Sequence, residues 1–248
     1  MNDQGVCVVL GEARINGETV TLRVVSDDRP EMELAYRLWY EVYVAELGMP
    51  ADAATRAAGA LRLPPNGSLT LLACVGDRCV GTLRMSYRQR SPEEFELSFA
   101  HLLPDRACGV LSKLVVSRPF RRTLLSMHLL IACFDYNAAS GNDRLYDTIL
   151  MSCTPALLHY YYLFGFEKVL ARPVPHAAFG DHSFIVACSR ATNARVVAEM
   201  KRVLRHDPLV RLKWAARYHW CRLAARRDRR AAPVAVAPGS EALLSGAA

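Results

Sequence analysis

No CxxC pair and no Cys/His cluster at zinc spacing occurs among the 248 residues of this chain, so structural-zinc and dithiol redox schemes are not expected. No run approaches the roughly 18 apolar residues that a membrane-spanning helix needs. The longest candidate, Leu124 to Phe134, is interrupted by Ser126 and His128 and reads as a buried helix. The start, MNDQGVCVVLG, lacks a basic region and a clean cleavage site, so an export signal is not expected. Internal repeats are lacking as well, which argues against a solenoid.

What is present is enough for a sizeable core. Hydrophobic residues make up 52% and charged residues 22% of the chain, which excludes wholesale disorder. The eight cysteines stand singly among apolar neighbours. They read as buried small hydrophobes of a reducing compartment, and the expected location is cytoplasmic. The net charge of +7 is concentrated. Between Lys201 and Arg230 eleven basic residues face only Asp207 and Asp228, a net +9 that leaves −2 for the rest of the chain.

Thr19 to Val25 alternates apolar and polar residues as a half-buried strand does. A cap-rich turn then leads into a helical pattern, Glu31 to Glu46, stopped by Gly48 and Pro50. Ala51 to Pro65 reads as a short helix and a loop. Leu69 to Val75 and Cys79 to Tyr87 form a hairpin about Gly76-Asp77. Glu94 to Phe99 suggests a short strand and Val110 to Val116 a buried one, followed by a helix from Thr123 to Ala139. Leu145 to Cys153 is a strand, Ala156 to Phe164 a helix with Pro155 in its first turn, and Phe166 to Ala171 and Ser183 to Cys188 are closing strands. The order is α+β with one βαβ crossover. The expected organisation is a domain over 1–193, a basic helical extension over 194–230 and a disordered tail over 231–248.

Three strings in this order resemble the GNAT N-acyltransferase superfamily: Gly81-Thr82-Leu83-Arg84, LVVSRPFRRTLLSMHLL from Leu114 to Leu130, and LLHYYYLFGFEKV from Leu157 to Val169. Within it, the run from Ala35 to Glu46 is similar to the first helix of N-acyl amino acid synthases and acyl-homoserine-lactone synthases. The resemblance implies a mixed, mostly antiparallel, twisted sheet flanked by helices. It also implies transfer of a medium or long acyl chain from a phosphopantetheine thioester, on an acyl carrier protein or CoA, to the amine of an amino acid or similar small molecule. No tightly bound cofactor or metal is implied. Two departures stand out: only Asp52 is acidic after the first helix, and Ser112-Lys113 lacks the branch's preceding Glu. The thinned acidic network keeps open a weakened fold that only binds acyl donors or lipid, and an acetyl-CoA enzyme is a further alternative.

By the same resemblance, Tyr161 protonates or hydrogen-bonds the departing sulfur, and amides near Val115 and Val116 face the thioester oxygen. Arg84 holds an acidic or carbonyl group of the acceptor, or else pairs with Glu46 or Glu96. Glu46 orients the acceptor amine or relays its proton, or else is a solvated helix end. Lys113 stands where the branch has an arginine. The turn Arg121, Arg122, Thr123, Leu124, Leu125 offers helix N-terminal amides to a phosphate, or is a solvated basic corner. Glycines at 124 and 126 would let a CoA pyrophosphate lie close, and Leu124 and Ser126 replace them, which favours a carrier-protein donor. His128 reads as a core histidine. Leu209, Leu212, Ala216, Trp220 and Leu223 form one stripe of a basic helix. It could pack on the core, lie on an anionic membrane at the inner face, dock an acidic carrier protein or, least expected, bind nucleic acid.

Overall fold

Val20, Leu22 and Val24 enter the main core while Val25 belongs to a second cluster on the other face, the two-residue period of a strand. In the computed structural model, which describes residues 5–90, 94–103, 107–175 and 182–231, this strand is β2 (Glu18–Ser26). It pairs with β1 (Cys7–Ile15) across Asn16-Gly17, whose φ values of 55° and 79° are those of a tight hairpin turn. Helix α1 (Met32–Trp39) continues as π-helical turns over Tyr40–Glu46, and α2 (Ala53–Ala58) follows. The hairpin β3 (Leu69–Val75) and β4 (Arg78–Tyr87) is buried on both faces, hence its continuous apolar run. Then come β5 (Cys108–Val116), α3 (Leu125–Ser140), β6 (Thr148–Cys153), α4 (Leu158–Leu163), the two-residue β7 (Glu167–Lys168) and β8 (Val174–Pro175), and β9 (His182–Ser189). Helices α5 (Arg190–Leu204) and α6 (Pro208–Ala231) end the described chain.

The described strands form a nine-stranded sheet in the order β1-β2-β3-β4-β5-β6-β9-β7, with β8 on β9. Every pairing is antiparallel except β5 with β6. Helices α3, α4, α5 and α6 contribute to the core on one face, and α1 packs Met32, Ala35, Leu38 and Trp39 on the other. The expected fold class is the observed one.

Two expected strands differ. Glu94 to Phe99 is instead part of a 3₁₀ helix, Phe95–Leu102. Its buried Leu97 and Ala100, three residues apart, eclipse onto the cluster of Val110, Leu150 and Ile185. Phe166 to Ala171 narrows to β7, which meets only Val186 and Ala187 of β9. The basic extension is two helices. Ser189 caps α5 by accepting from the Thr192 amide at 3.2 Å, and Asp207 starts α6 by accepting from the Val210 amide at 3.1 Å. The expected boundary at 193/194 falls inside α5, which sends Val196, Val197, Met200 and Val203 into the main core. Gly165, at φ +81°, lets the end of α4 approach α5; a Cβ there would lie 2.7 Å from Thr192 Cγ2. The expected tail beyond residue 231 lies outside the described residues.

Candidate active site

Strands β5 and β6 pair only over Cys108–Val110 and Thr148–Leu150, although β5 runs on to Val116 and β6 to Cys153. Where they part, a cavity of about 1060 Å³ opens, bounded by Ser112 to Val116 on one side and Met151 to Cys153 on the other. Val42 and Tyr43 reach it from the π-helical turns and Leu47 from just past them, and Tyr160 and Tyr161 from α4 with Phe164 at its end.

The parting strand is bent on its other side too. Thr82 pairs with Val115 but Arg84 with Ser112, so β5 carries a bulge at Lys113-Leu114 opposite Leu83. Lys113 sits there at φ +52°, a conformation that costs a non-glycine residue on the order of 1 kcal/mol or more. A buried relay holds it: Trp39 Nε1 donates to Thr82 Oγ1 at 2.9 Å, and Thr82 Oγ1 donates to the Lys113 carbonyl at 2.8 Å. The bulge aims Lys113 into the cavity, its ammonium 5.1 Å from the centre of the Tyr43 ring.

Two buried charged side chains, Arg84 and Glu96, and the half-buried Lys113 line this space. Arg84 does not pair with Glu46 or Glu96, as had been the alternative to acceptor binding. Its partner is Asp27 from the turn after β2, at 3.2 Å, with Asn66 Oδ1 at 2.7 Å. Asp27 also accepts from the amides of Asn66 and Ser68, so the pair ties that turn to β4. Glu96, 5% exposed, accepts from Ser152 Oγ at 2.6 Å. Burial pushes its carboxyl above the ordinary range, against the opposing pull of Ser152 and Lys113. Burial likewise pushes the Lys113 ammonium below its ordinary range, with Glu96 acting the other way.

The three consecutive tyrosines diverge as successive helix positions must. Tyr160 stands at the rim among His159, Phe164 and Tyr218. Tyr161, 7% exposed, lines the cavity and rests edge-on against Phe166. Burial first, then Cys153 and Tyr43, raise its hydroxyl well above the ordinary tyrosine value, so it carries its proton at neutral pH. Tyr162 points away and donates to Asp228 of α6 at 2.7 Å.

Between β5 and α3 lies the basic turn. Arg121 pairs with Glu46 at 2.6 Å and donates through Nε to the Val116 carbonyl at 3.0 Å. Arg122 adopts φ +65°, and Thr123 Oγ1 donates to the Phe120 carbonyl while accepting from the Leu125 amide. Among the described residues, the amides of Arg122, Thr123 and Leu124 have no acceptor, leaving the start of α3 with open donors beside the cavity.

Of the residues expected in a site, Arg84, Lys113, Val115, Val116, Arg121, Arg122, Thr123 and Tyr161 line one cavity. Glu46 does not; it reaches the site through Arg121. Leu125 is fully buried in the core beneath Gly81. Leu124, 41% exposed, lines a neighbouring recess of about 300 Å³ that also touches Arg122, Arg211, Trp214 and Tyr218. His128 is half-buried on α3, where burial lowers its pKa. Sequence alone suggests Glu96 only as a partner for Arg84 and gives no reason to single out Ser152. The available signal was a single acid inside the apolar string Phe95-Glu96-Leu97. Among the described residues no group of three or more His, Cys, Asp or Glu side chains is placed to hold a metal ion.

No protein-family model and no curated protein sequence matches the chain. Solved structures do. A CoA-dependent acyl-homoserine lactone synthase, BjaI, with MTA, is 19% identical with a TM-score of 0.53 over 72% of this chain and 88% of that one. TofI, in a ternary complex with an inhibitor and MTA, is 17% identical with a TM-score of 0.52 over 71% and 96%. FeeM, an N-acyl amino acid synthase from uncultured soil microbes, is 15% identical with a TM-score of 0.51 over 68% and 90%. At such identities the likeness is one of fold: the chain shares with these structures the mixed, mostly antiparallel sheet flanked by helices that the three sequence strings implied.

Proposed function

We propose that the protein is an N-acyltransferase that moves a medium- or long-chain fatty acyl group from a phosphopantetheine thioester to the amine of an amino acid or similar small molecule. One observation carries the reading: a single cavity holds a carboxyl and a phenol whose burial suits them to opposite proton transfers. In that cavity the amine attacks the thioester carbon, a C–N bond forms and the C–S bond breaks. Glu96, its basicity raised by burial, takes the proton released by the amine. Tyr161, still protonated, supplies a proton to the departing thiolate. Backbone amides near Val115 and Val116 serve the carbonyl oxygen, and Lys113 balances the charge of Glu96. The open amides of Arg122 to Leu124, with the Arg122 side chain, receive the phosphate of the pantetheine arm.

The donor we propose is an acyl carrier protein. At position 122 a left-handed backbone carries an arginine and at 124 stands a leucine, side chains that crowd a pyrophosphate more than a single phosphodiester. The cavity volume suits an acyl chain rather than an acetyl group.

The test is to incubate purified protein with amino acids and with acyl carrier protein or CoA thioesters of matched chain length, reading N-acyl products by mass spectrometry. Amide formed faster from the carrier thioester is expected, and faster turnover of the CoA thioester would reverse the donor assignment. Tyr161→Phe should lower kcat at least about tenfold with donor Kd unchanged. Donor binding without amide from either thioester would overturn the enzymatic reading in favour of a binding module.

A further inference from the structure

Helix α6 has two apolar faces, and only one of them is used. Val210, Cys221 and Ala225 are buried against the body, with Trp214 and Tyr218 half-buried beside them. Asp228 fastens this face by accepting from Tyr162 at 2.7 Å and pairing with Lys168 at 2.9 Å, and Arg217 pairs with Glu199 at 3.2 Å. On the opposite side Leu209, Leu212, Trp220 and Leu223 are 70%, 70%, 67% and 63% exposed. With Ala216 these are the stripe read from the sequence, and it faces outward instead of packing. At about 1.5 Å per residue it runs on the order of 20 Å along the helix.

Charge limits what can cover that stripe. Lys213, Arg226 and Arg227 are exposed beside it, and Arg211 and Arg222 lie further round. Asp228, the single acid in the helix, is already engaged. Two copies meeting stripe to stripe would set these cations against one another with no carboxylate to answer them. An anionic bilayer offers acyl chains to four large apolar side chains and headgroup phosphates to the cations on their flanks.

We propose that α6 is an in-plane membrane anchor that lays the protein on anionic lipid through Leu209, Leu212, Trp220 and Leu223. The proposal stands on α6 alone and does not depend on the acyl-transfer reading. The anchor lies along the surface, since no described helix is long and apolar enough to cross.

The experiment is co-sedimentation of the full chain with vesicles of phosphatidylcholine alone or mixed with phosphatidylglycerol. Binding is expected to the mixed vesicles and not to the neutral ones, and to weaken as salt rises. The double variant Leu212→Ser/Leu223→Ser should reduce it at least about tenfold, and Arg226→Glu/Arg227→Glu by a similar factor. All four positions are exposed, so circular dichroism and thermal unfolding should match the parent. A blue shift of tryptophan emission on mixed vesicles should vanish in Trp220→Phe while sedimentation persists. Equal sedimentation of parent and double variant, or none with anionic vesicles, overturns the proposal. A dimer, or binding to an acyl carrier protein, that the double variant abolishes in the absence of vesicle binding would assign the stripe to that partner instead.

Discussion

Replacing Glu96 by Gln tests the proposed chemistry where it is most exposed to failure. The substitution keeps shape and keeps an oxygen able to accept from Ser152 Oγ, a bond of 2.6 Å. What disappears is the proton-accepting carboxylate. The structural cost is therefore confined to the charge-assisted part of one hydrogen bond, about 1 kcal/mol. A positioned general base contributes about 10² to 10⁴ in rate, or about 3–5 kcal/mol of barrier, so kcat should fall by that factor while the fold survives. The pH behaviour adds a second readout. The folded-state pKa of Glu96 is raised by burial, so the parent should lose turnover as pH falls through that raised value, and the variant should lack this acidic limb. Stability has the same sign: the proton is held more tightly in the folded chain. The stabilisation from it is full below the unfolded pKa and lost as pH rises through the folded one. Glu96→Gln should remove that loss and flatten stability across the window. Turnover and chemical denaturation measured at a series of pH values check both. A variant within about threefold of the parent that keeps the acidic limb would remove Glu96 from the reaction.

Other perturbations act on the frame of the site. Thr82→Val deletes the hydroxyl between Trp39 and Lys113 and leaves the buried Trp39 N–H without its acceptor, so it should cost about 1–3 kcal/mol in denaturant unfolding. Arg84→Met strands Asp27, whose side chain is 5% exposed, and should cost about 3–5 kcal/mol by the same measurement, whether or not Arg84 meets an acceptor. Gly165→Ala forces a Cβ against Thr192 at a left-handed backbone position and should lower stability by about 2–4 kcal/mol, read as a drop in Tm.

The strands of the central sheet were legible because burial leaves a periodic trace: β2, β3, β4 and β9 appear within a residue or two of their expected bounds. Strand β1 is hard to read although Asn16-Gly17 carries a hairpin signal, since the unbroken run Cys7-Val8-Val9-Leu10 followed by Gly11 blurs the alternation. The 3₁₀ helix reads as a strand in sequence because Phe95, Leu97 and Phe99 alternate, although the turn they build has a three-residue repeat. Tyr161 and the basic turn could be located, since local strings carry them. The raised basicity of Glu96 could not, because it comes from burial in the folded chain, with Ser152, 56 residues away, and Lys113 pulling the other way. The stripe on α6 was read as a stripe; which side of the helix the body would take depends on Tyr162 and Lys168 meeting Asp228, a long-range matter.

The divergence of β5 from β6 bears on how this fold endures. Once two neighbouring strands separate, their main-chain donors and acceptors become available to whatever enters between them, whichever side chains the strands carry. A ligand held in this way is read by peptide groups, and a substitution that preserves the parting preserves the reading. Structures that share 15% to 19% of their residues with this chain can thus share its overall path. Drift is then free to act on the side chains of the walls while the seam between the two strands stays open.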